Sequence, residues 1–366
     1  MSVEGDALTG GATPAATPEL AAEAATGNTG AKVRGRALWR ALAALPGKRN
    51  EVLAVLNGAV GDALERQGSS LFLPMGLVVG GRELDLSADL APQLADVGPR
   101  LVVLAHGLMC TETIWSFPNG SRRGYGERLA ADVGATPVYL RYNSGLHISV
   151  NGRALADLLE RLVDAWPVPI DEISLLGYSM GGLVTRSAMH YGQQTGHRWL
   201  TLTRRSFLLA VPLRGSPVEQ LAAVAAFSLQ TIPNPVTWLL AWVFKQRSAG
   251  IKDLRHGYLV DDEWRAREVD TLTLGRKHLV PLPPGVDHFV AAGSLAKDAQ
   301  HPVGRFVGDV MVAPFSAKDE GYDGTPSERA AKGARVFPGV SHLAMASHDD
   351  VYQQLLAWWR EGAAPA

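Results

Sequence analysis

The sequence has almost no cysteine, since Cys110 is the only one in 366 residues. A single cysteine excludes an intramolecular disulfide and a cysteine-rich metal site. An excess of charge is also absent, because 35 Lys and Arg stand against 36 Asp and Glu, for a formal net charge of -1. This balance does not favour nucleic acid or an acidic membrane surface as a partner. We therefore expect no nucleic-acid partner, no cofactor and no metal ion.

The first residues lack the basic start and the apolar run of a secretion signal. Residues 1–33 are mostly Ala, Gly, Thr and Pro, so we expect a disordered tail there. Without an export signal or a cysteine pair, the cytoplasm is the expected location. Residues 34–366 provide enough apolar material for one large α/β domain that begins with a helical extension.

A long uncharged stretch is present, from Gln220 to Phe244. Its 25 residues are enough to cross a bilayer, but Pro233 and Pro235 interrupt it. We interpret residues of about 217–286 as an apolar helical lid inserted between two strands. The inner face of this lid would line an acyl-chain pocket, and the pattern leaves open a weak contact of the lid with a membrane surface.

Short apolar runs alternate with helical patterns along the rest of the chain. This alternation predicts a mostly parallel sheet with helices on both faces. Asn50 to Gly68 has the period of a helix, and Gly80-Gly81 marks a hairpin turn. Further helices are expected to start near Asn151, after Ser179 and near Ser347. The predicted later strands are "LVVLAHG", "TPVYLRY", "EISLLG", "SFLLAV", "HFVAAGS" and "ARVF".

The segment "LLGYSMGGLV" places Ser179 between an apolar strand and a helical run. A sharp turn between a strand and a helix strains the backbone of its central residue and exposes that side chain. The flanking positions become crowded, which explains glycine at Gly177 and Gly181. The start of the helix also favours negative charge that develops beside it. These features predict a nucleophilic serine, the alternative being an ordinary turn serine.

A serine nucleophile needs a histidine base and an acid that orients the base, in the chain order serine, acid, histidine for this kind of turn. His342 follows the last predicted strand and is favoured over His348, at the start of the final helix. Asp309, in "VGDVMVAPFSA", follows the preceding strand and is the favoured acid. The rival acids are Asp319, Glu320 and Asp323.

An acyl-transfer site also needs donors for an oxyanion. The backbone amide after the nucleophile belongs to Met180, and the loop "AHGLMCTETIW" offers the amide of Leu108 as the second. We interpret His106 as a structural residue that holds this loop by hydrogen bonds. Cys110 is interpreted as a small buried residue, since no base for a thiol nucleophile is apparent.

Several motifs together resemble the α/β-hydrolase superfamily, most closely its bacterial lipase and esterase-like branch. They are also similar to GPI inositol-deacylase-like proteins. The resemblance covers roughly residues 50 to 360 and implies an α/β-hydrolase fold, with Ser179, Asp309 and His342 on the positions of the triad. It rests on "HGLMCTETIW", "YNSGLHISVNG", "LLGYSMGGLV", "GDVMVAPFSA" and "VSHLAMASH".

The leading hypothesis is a serine hydrolase that cleaves a small hydrophobic carboxylic ester through an acyl-enzyme. The alternatives are an acyltransferase, thioesterase or amidase with the same triad, and a non-catalytic binding protein on this fold. Trp115, Trp238 and Phe244 are the candidates for contacting the substrate. The oligomeric state is left open by these residues.

Overall fold

The computed structural model describes residues 49–94, 97–117, 123–213, 215, 248–265, 280–294 and 331–361. The predicted tail at 1–33 lies outside the described residues, as do most of the predicted lid and the candidate acid Asp309. Within the predicted lid, the structure describes residues 248–265 and 280–286.

One eight-stranded sheet organises the described chain. The strands are β1 Gly76–Val79, β2 Arg82–Glu83, β3 Arg100–Ala105, β4 Thr136–Arg141, β5 Glu172–Tyr178, β6 Thr203–Leu209, β7 Asp287–Ser294 and β8 Gly333–Pro338. Their order in the sheet is β2-β1-β4-β3-β5-β6-β7-β8. β1 runs antiparallel to β2 and β4, and the remaining neighbours are parallel.

Helices cover both faces of this sheet. The described helices of five or more residues are α1 Arg49–Arg66, α2 Tyr125–Val133, α3 Ile148–Ala165, α4 Met180–Thr195, α5 Arg198–Leu202, α6 Ala249–His256, α7 Asp261–Arg265 and α8 Asp349–Glu361. On one face α3 and α4 pack on the strands, through residues such as Leu155 and Leu183. On the other face α2 and α8 do so, through residues such as Leu129 and Leu355.

The central strands are apolar along nearly their whole length because both faces are covered. In β3 every residue after Arg100 is buried, and in β5 every residue after Glu172 is buried. The sequence patterns therefore identified the strands correctly. The carboxyl ends of β3 and β5 lie next to each other, which brings the segments after Ala105 and Tyr178 to the same edge.

The start of α3 differs from the prediction. The helix begins at Ile148, three residues before Asn151, whose side-chain amide instead donates to Asn143 O at 2.9 Å. The cap comes from a distant residue, since Asp253 Oδ2 accepts the amide of Ile148 at 2.8 Å. The sequence of residues 148–151 gives no indication of this contact with Asp253.

The helix α6 is held to the sheet domain by a hydrogen bond between the buried carboxylate of Asp253 and the ring of His147. The carboxylate of Asp253 lies 3.0 Å from His147 Nδ1, and the His147 ring stacks on Trp264 at 3.8 Å. Burial raises the pKa of Asp253 above its ordinary value. These contacts fix this part of the insertion on α3. The lid interpretation of the other inserted residues stays a prediction.

The described helices include none that is both long enough and apolar enough to cross a membrane.

We expect Gly182→Ala to destabilise the protein because the third residue of α4 has no room for a methyl group. A Cβ at Gly182 would lie 2.2 Å from Val211 Cγ2 and 3.0 Å from Val211 Cγ1. Overpacking of this kind lowers the free energy of unfolding by about 1–3 kcal/mol. Urea unfolding of Gly182→Ala, Val211→Ala and the double variant measures this effect. The double variant should be more stable than the sum of the single losses implies, and strict additivity would contradict the contact.

Candidate active site

The nucleophile candidate Ser179 lies between β5 and α4 in a strained backbone conformation. Its φ is 53° and its ψ is -124°, values that L-residues with a side chain rarely adopt. The amide of Ser179 donates to Leu209 O at 2.8 Å, which ties the turn to the adjacent strand β6. The described chain therefore has the strand, turn and helix that the sequence predicts around this serine.

The two predicted glycines are required by close backbone contacts. A Cβ at Gly177 would lie 2.4 Å from Gly182 Cα. A Cβ at Gly181 would lie 2.2 Å from Ala105 O, at the end of β3. Real Cβ atoms do not approach backbone atoms this closely, so the predicted crowding at both positions is confirmed.

The loop after β8 brings His342 to Ser179. His342 Nε2 lies 3.1 Å from Ser179 Oγ, a hydrogen-bonding distance. Only 2% of Ser179 and 6% of His342 is exposed, so the pair is shielded from bulk water. The rival His348 is placed differently, because its Nδ1 accepts the amide of Asp350 at 3.2 Å at the start of α8.

The other nitrogen of His342 marks where an acid is needed. Within the described part of the chain, the buried Nδ1 has no hydrogen-bond partner. Burial lowers the pKa of His342 to about 4, so the ring is neutral at pH 7. The candidate Asp309 and its rivals at 319, 320 and 323 lie outside the described residues. A buried imidazole nitrogen without a partner is the position that a triad acid would occupy.

The loop after β3 approaches Ser179 at Gly107. A Cβ at Gly107 would lie only 3.1 Å from Ser179 Cβ. The Gly107 carbonyl accepts from the amide of Cys110 at 3.3 Å and lies 2.9 Å from His106 Nδ1, which must carry the proton. In a trans peptide the carbonyl and the following amide point in opposite directions. The Leu108 amide therefore points away from the Cys110 amide and from His106 Nδ1, which both donate to Gly107 O.

The two amides proposed as donors are both available. No hydrogen bond between described residues uses the amide of Leu108 or of Met180. Met180 is the first residue of the 16-residue helix α4, where backbone amides have no partner within the helix. Both residues are buried, and the dipole of α4 favours negative charge beside its first turn.

His106 and Cys110 have the surroundings of structural residues. His106 stacks on Tyr142 with ring centroids 4.4 Å apart, and Tyr142 Oη donates to His106 O at 2.8 Å. Burial lowers the pKa of His106 to about 4. Burial raises the pKa of the Cys110 thiol to about 12, so the reactive thiolate is not formed at neutral pH.

Of the three candidate substrate contacts, Trp115 alone lies among the described residues. Trp115 lies in a short 3-10 helix, Glu112–Trp115, and is 1% exposed. The centroid of its ring lies 6.1 Å from the ring centroid of Tyr125 and 6.2 Å from that of Tyr178. Such packing is typical of a core residue. Trp238 and Phe244 lie outside the described residues. Substrate contact by all three stays a prediction.

Comparisons with known proteins give structural relatives of low identity. No protein-family model matches the sequence, and no curated protein matches it. The mature lipase BlEst2 of Bacillus licheniformis is 17% identical, with a TM-score of 0.42 over 72% of this chain and 95% of that one. The hyperthermophilic esterase of Pyrobaculum calidifontis is 14% identical, with a TM-score of 0.41 over 73% and 78%.

A third similar structure is the carboxylesterase EstE1 from a metagenomic library, at 15% identity and a TM-score of 0.41 over 74% of this chain and 83% of that one. The chain's own structure confirms the predicted α/β-hydrolase fold. It has a mostly parallel eight-stranded sheet, helices on both faces of the sheet, and a strained serine between β5 and α4.

Two features near the site were missed from the sequence. Ser144, in the motif "YNSGLHISVNG", accepts a hydrogen bond from the amide of Met109 at 3.0 Å. Asp253 caps α3 from the insertion. The motif contributes to the family resemblance, but no local pattern assigns a contact to its serine.

Proposed function

We propose that the protein is a serine hydrolase that cleaves a carboxylic ester through an acyl-enzyme. The observation that carries this proposal is the 3.1 Å contact between Ser179 Oγ and His342 Nε2 at the strained turn after β5. A turn serine that only begins a helix would not need a buried, neutral histidine on its hydroxyl. The pairing matches the chemistry of a nucleophile and its base.

In the first half of the reaction Ser179 Oγ attacks the ester carbonyl carbon. The serine proton moves to His342 Nε2, and the carbonyl oxygen becomes an oxyanion. The amides of Leu108 and Met180 stabilise this charge. When the tetrahedral intermediate collapses, the bond to the alkoxy group breaks, and His342 gives its proton to the leaving alcohol.

In the second half a water molecule takes the place of the alcohol. His342 removes a proton from the water, whose oxygen attacks the acyl-enzyme carbonyl. Collapse releases the carboxylic acid and returns the proton to Ser179 Oγ. An acyltransferase would use an alcohol or a thiol in place of water, and a thioesterase or amidase would release a thiol or an amine.

Asp309 is our proposed acid. Its carboxylate would accept a hydrogen bond from the Nδ1–H of His342 and stabilise the imidazolium that forms during attack. This assignment is supported by the buried Nδ1, which has no partner among the described residues, and by the position of Asp309 between β7 and β8 in the chain. Asp319, Glu320 and Asp323 come from the same interval and are the alternatives.

The proposed substrate is a small ester with a hydrophobic acyl chain. This is supported by the apolar composition of the inserted segment around Trp238 and Phe244. An apolar wall beside a few polar groups is typical of such pockets.

We expect Ser179→Ala to abolish ester turnover and labelling by a fluorophosphonate probe. Loss of a serine nucleophile lowers kcat by at least about 10³-fold in enzymes of this kind. The measurement is hydrolysis of short- and long-chain p-nitrophenyl esters beside gel detection of the probe. Ser187→Ala is the matched control, since Ser187 is a buried serine on α4 that donates to Leu259 O. Unchanged labelling of Ser179→Ala would contradict the proposal.

The pH dependence tests the acid. His342 accepts a proton only when neutral, so kcat/KM falls as the pH drops through its pKa. Burial alone places this pKa at about 4. An ionised Asp309 at Nδ1 would raise the pKa, so the acid limb of the wild type should lie above pH 4.

In Asp309→Asn we expect kcat to fall by about 10²–10⁴-fold, because the imidazolium loses its counter-charge. The acid limb of the remaining kcat/KM should move to lower pH. Asp319→Asn serves as the control and should keep the wild-type profile. If Asp319→Asn shows the loss and the shift while Asp309→Asn does not, Asp319 is the acid.

A further inference from the structure

We propose that Ser144 is a positioning residue for the oxyanion hole. Ser144 lies between β4 and α3, and its Oγ accepts the amide of Met109 at 3.0 Å. Met109 directly follows Leu108, whose amide is the proposed donor. This inference rests on the proposed function, since it assigns a role to Ser144 in the reaction of Ser179.

The contact is needed because the loop backbone is strained at Met109. Its φ is 60°, a left-handed conformation that is unfavourable for a residue with a side chain. Met109 and Ser144 are both buried, so without the hydroxyl the Met109 amide would lack a partner in a region shielded from water. The bond from Ser144 thus favours the strained loop over a relaxed alternative.

The contact reaches the Leu108 amide through covalent geometry. The peptide that carries this amide is held at its carbonyl, Gly107 O, by His106 and Cys110. The next peptide is held at its amide, Met109 N, by Ser144. Because each peptide is planar, fixing both leaves little freedom for the direction of the Leu108 N–H. Release of Met109 would let this N–H turn away from the developing oxyanion.

Hydrogen bonds of the neighbouring residues hold the backbone on both sides of Ser144. The side chain of Asn143 accepts the amide of Gly145 at 2.9 Å, and Asn151 Nδ2 donates to Asn143 O at 2.9 Å. Gly250, in α6, donates to Gly145 O at 3.0 Å. Asn143, Ser144 and Asn151 are all buried. These contacts restrict the position of Ser144, whose hydroxyl therefore stays beside the Met109 amide.

The helix α1 covers the contact on another side. A Cβ at Gly58 would lie 2.4 Å from Met109 Cγ and 3.0 Å from Ser144 Oγ. The Gly58 carbonyl accepts from Ser248 Oγ at 2.7 Å, which joins α1 to the segment before α6. The tight fit leaves little room for a water molecule that could replace the missing hydroxyl in a variant.

The test is Ser144→Ala with p-nitrophenyl esters. We expect kcat to fall about 10-fold or more while KM changes by less than about 2-fold, because the lost interaction acts mainly in the transition state. An alkyl trifluoromethyl ketone, which forms an oxyanion on Ser179, should bind more weakly by the factor lost in kcat/KM. The corresponding alkyl ether, which forms no oxyanion, should bind as it does to the wild type.

Ser187→Ala is the matched control because it also removes a buried serine-to-backbone bond, to Leu259 O at 2.6 Å. It should lower thermal stability to a similar extent and leave kcat and trifluoromethyl ketone binding unchanged. If Ser144→Ala does not fold, Ser144→Cys supplies a weaker acceptor and should show a smaller loss of the same kind. Wild-type kcat and ketone binding in the folded Ser144 variant would overturn the proposal.

The two proposals fail in different ways. If Ser179→Ala hydrolyses esters like the wild type, the proposed function is wrong. If Ser179→Ala is inactive while the Ser144 variant has wild-type kinetics, only the positioning role is wrong. If Ser144→Ala and Ser187→Ala lose kcat equally, a general loss of packing replaces the specific role.

Discussion

The strained turn at Ser179 is the constraint on which the rest of the site depends. A positive φ at a serine is unfavourable, so the turn must be held from several sides. The amide of Ser179 is bonded to β6, and the glycines before and after it allow α4 to approach the end of β3. The loop of Gly107 also packs closely against the serine, so one backbone feature places both the proposed nucleophile and its proposed oxyanion donors.

Burial then determines the chemistry available at this turn. His342 is shielded from water and its pKa is lowered, which keeps it able to accept a proton at neutral pH. The shielding that favours the neutral base also makes a bare imidazolium unfavourable. A carboxylate at Nδ1 would offset that cost when the proton arrives. Nδ1 is buried and has no partner among the described residues, which supports the proposal that a carboxylate pairs with it.

Much of the fold could be predicted from local sequence, because buried parallel strands are short apolar runs and amphipathic helices show a 3.6-residue period. The serine turn was predictable for a similar reason, since Gly177 and Gly181 record its crowding. The start of α3 could not be predicted, because its cap is Asp253, which lies 105 positions after Ile148 in the chain. Ser144 was missed for the same reason: its partner, Met109, is 35 positions away. Such contacts form only when the chain folds.

The proposed mechanism requires Ser179 to carry the acyl group during turnover. Rapid mixing with excess p-nitrophenyl ester, followed by acid quench and mass spectrometry of the digested protein, can detect this intermediate. We expect a burst of p-nitrophenolate close to the enzyme concentration and an acyl mass on the peptide that contains Ser179. An acyl group on a different residue, or full turnover without any adduct under conditions that trap an acyl-enzyme, would contradict the proposed mechanism.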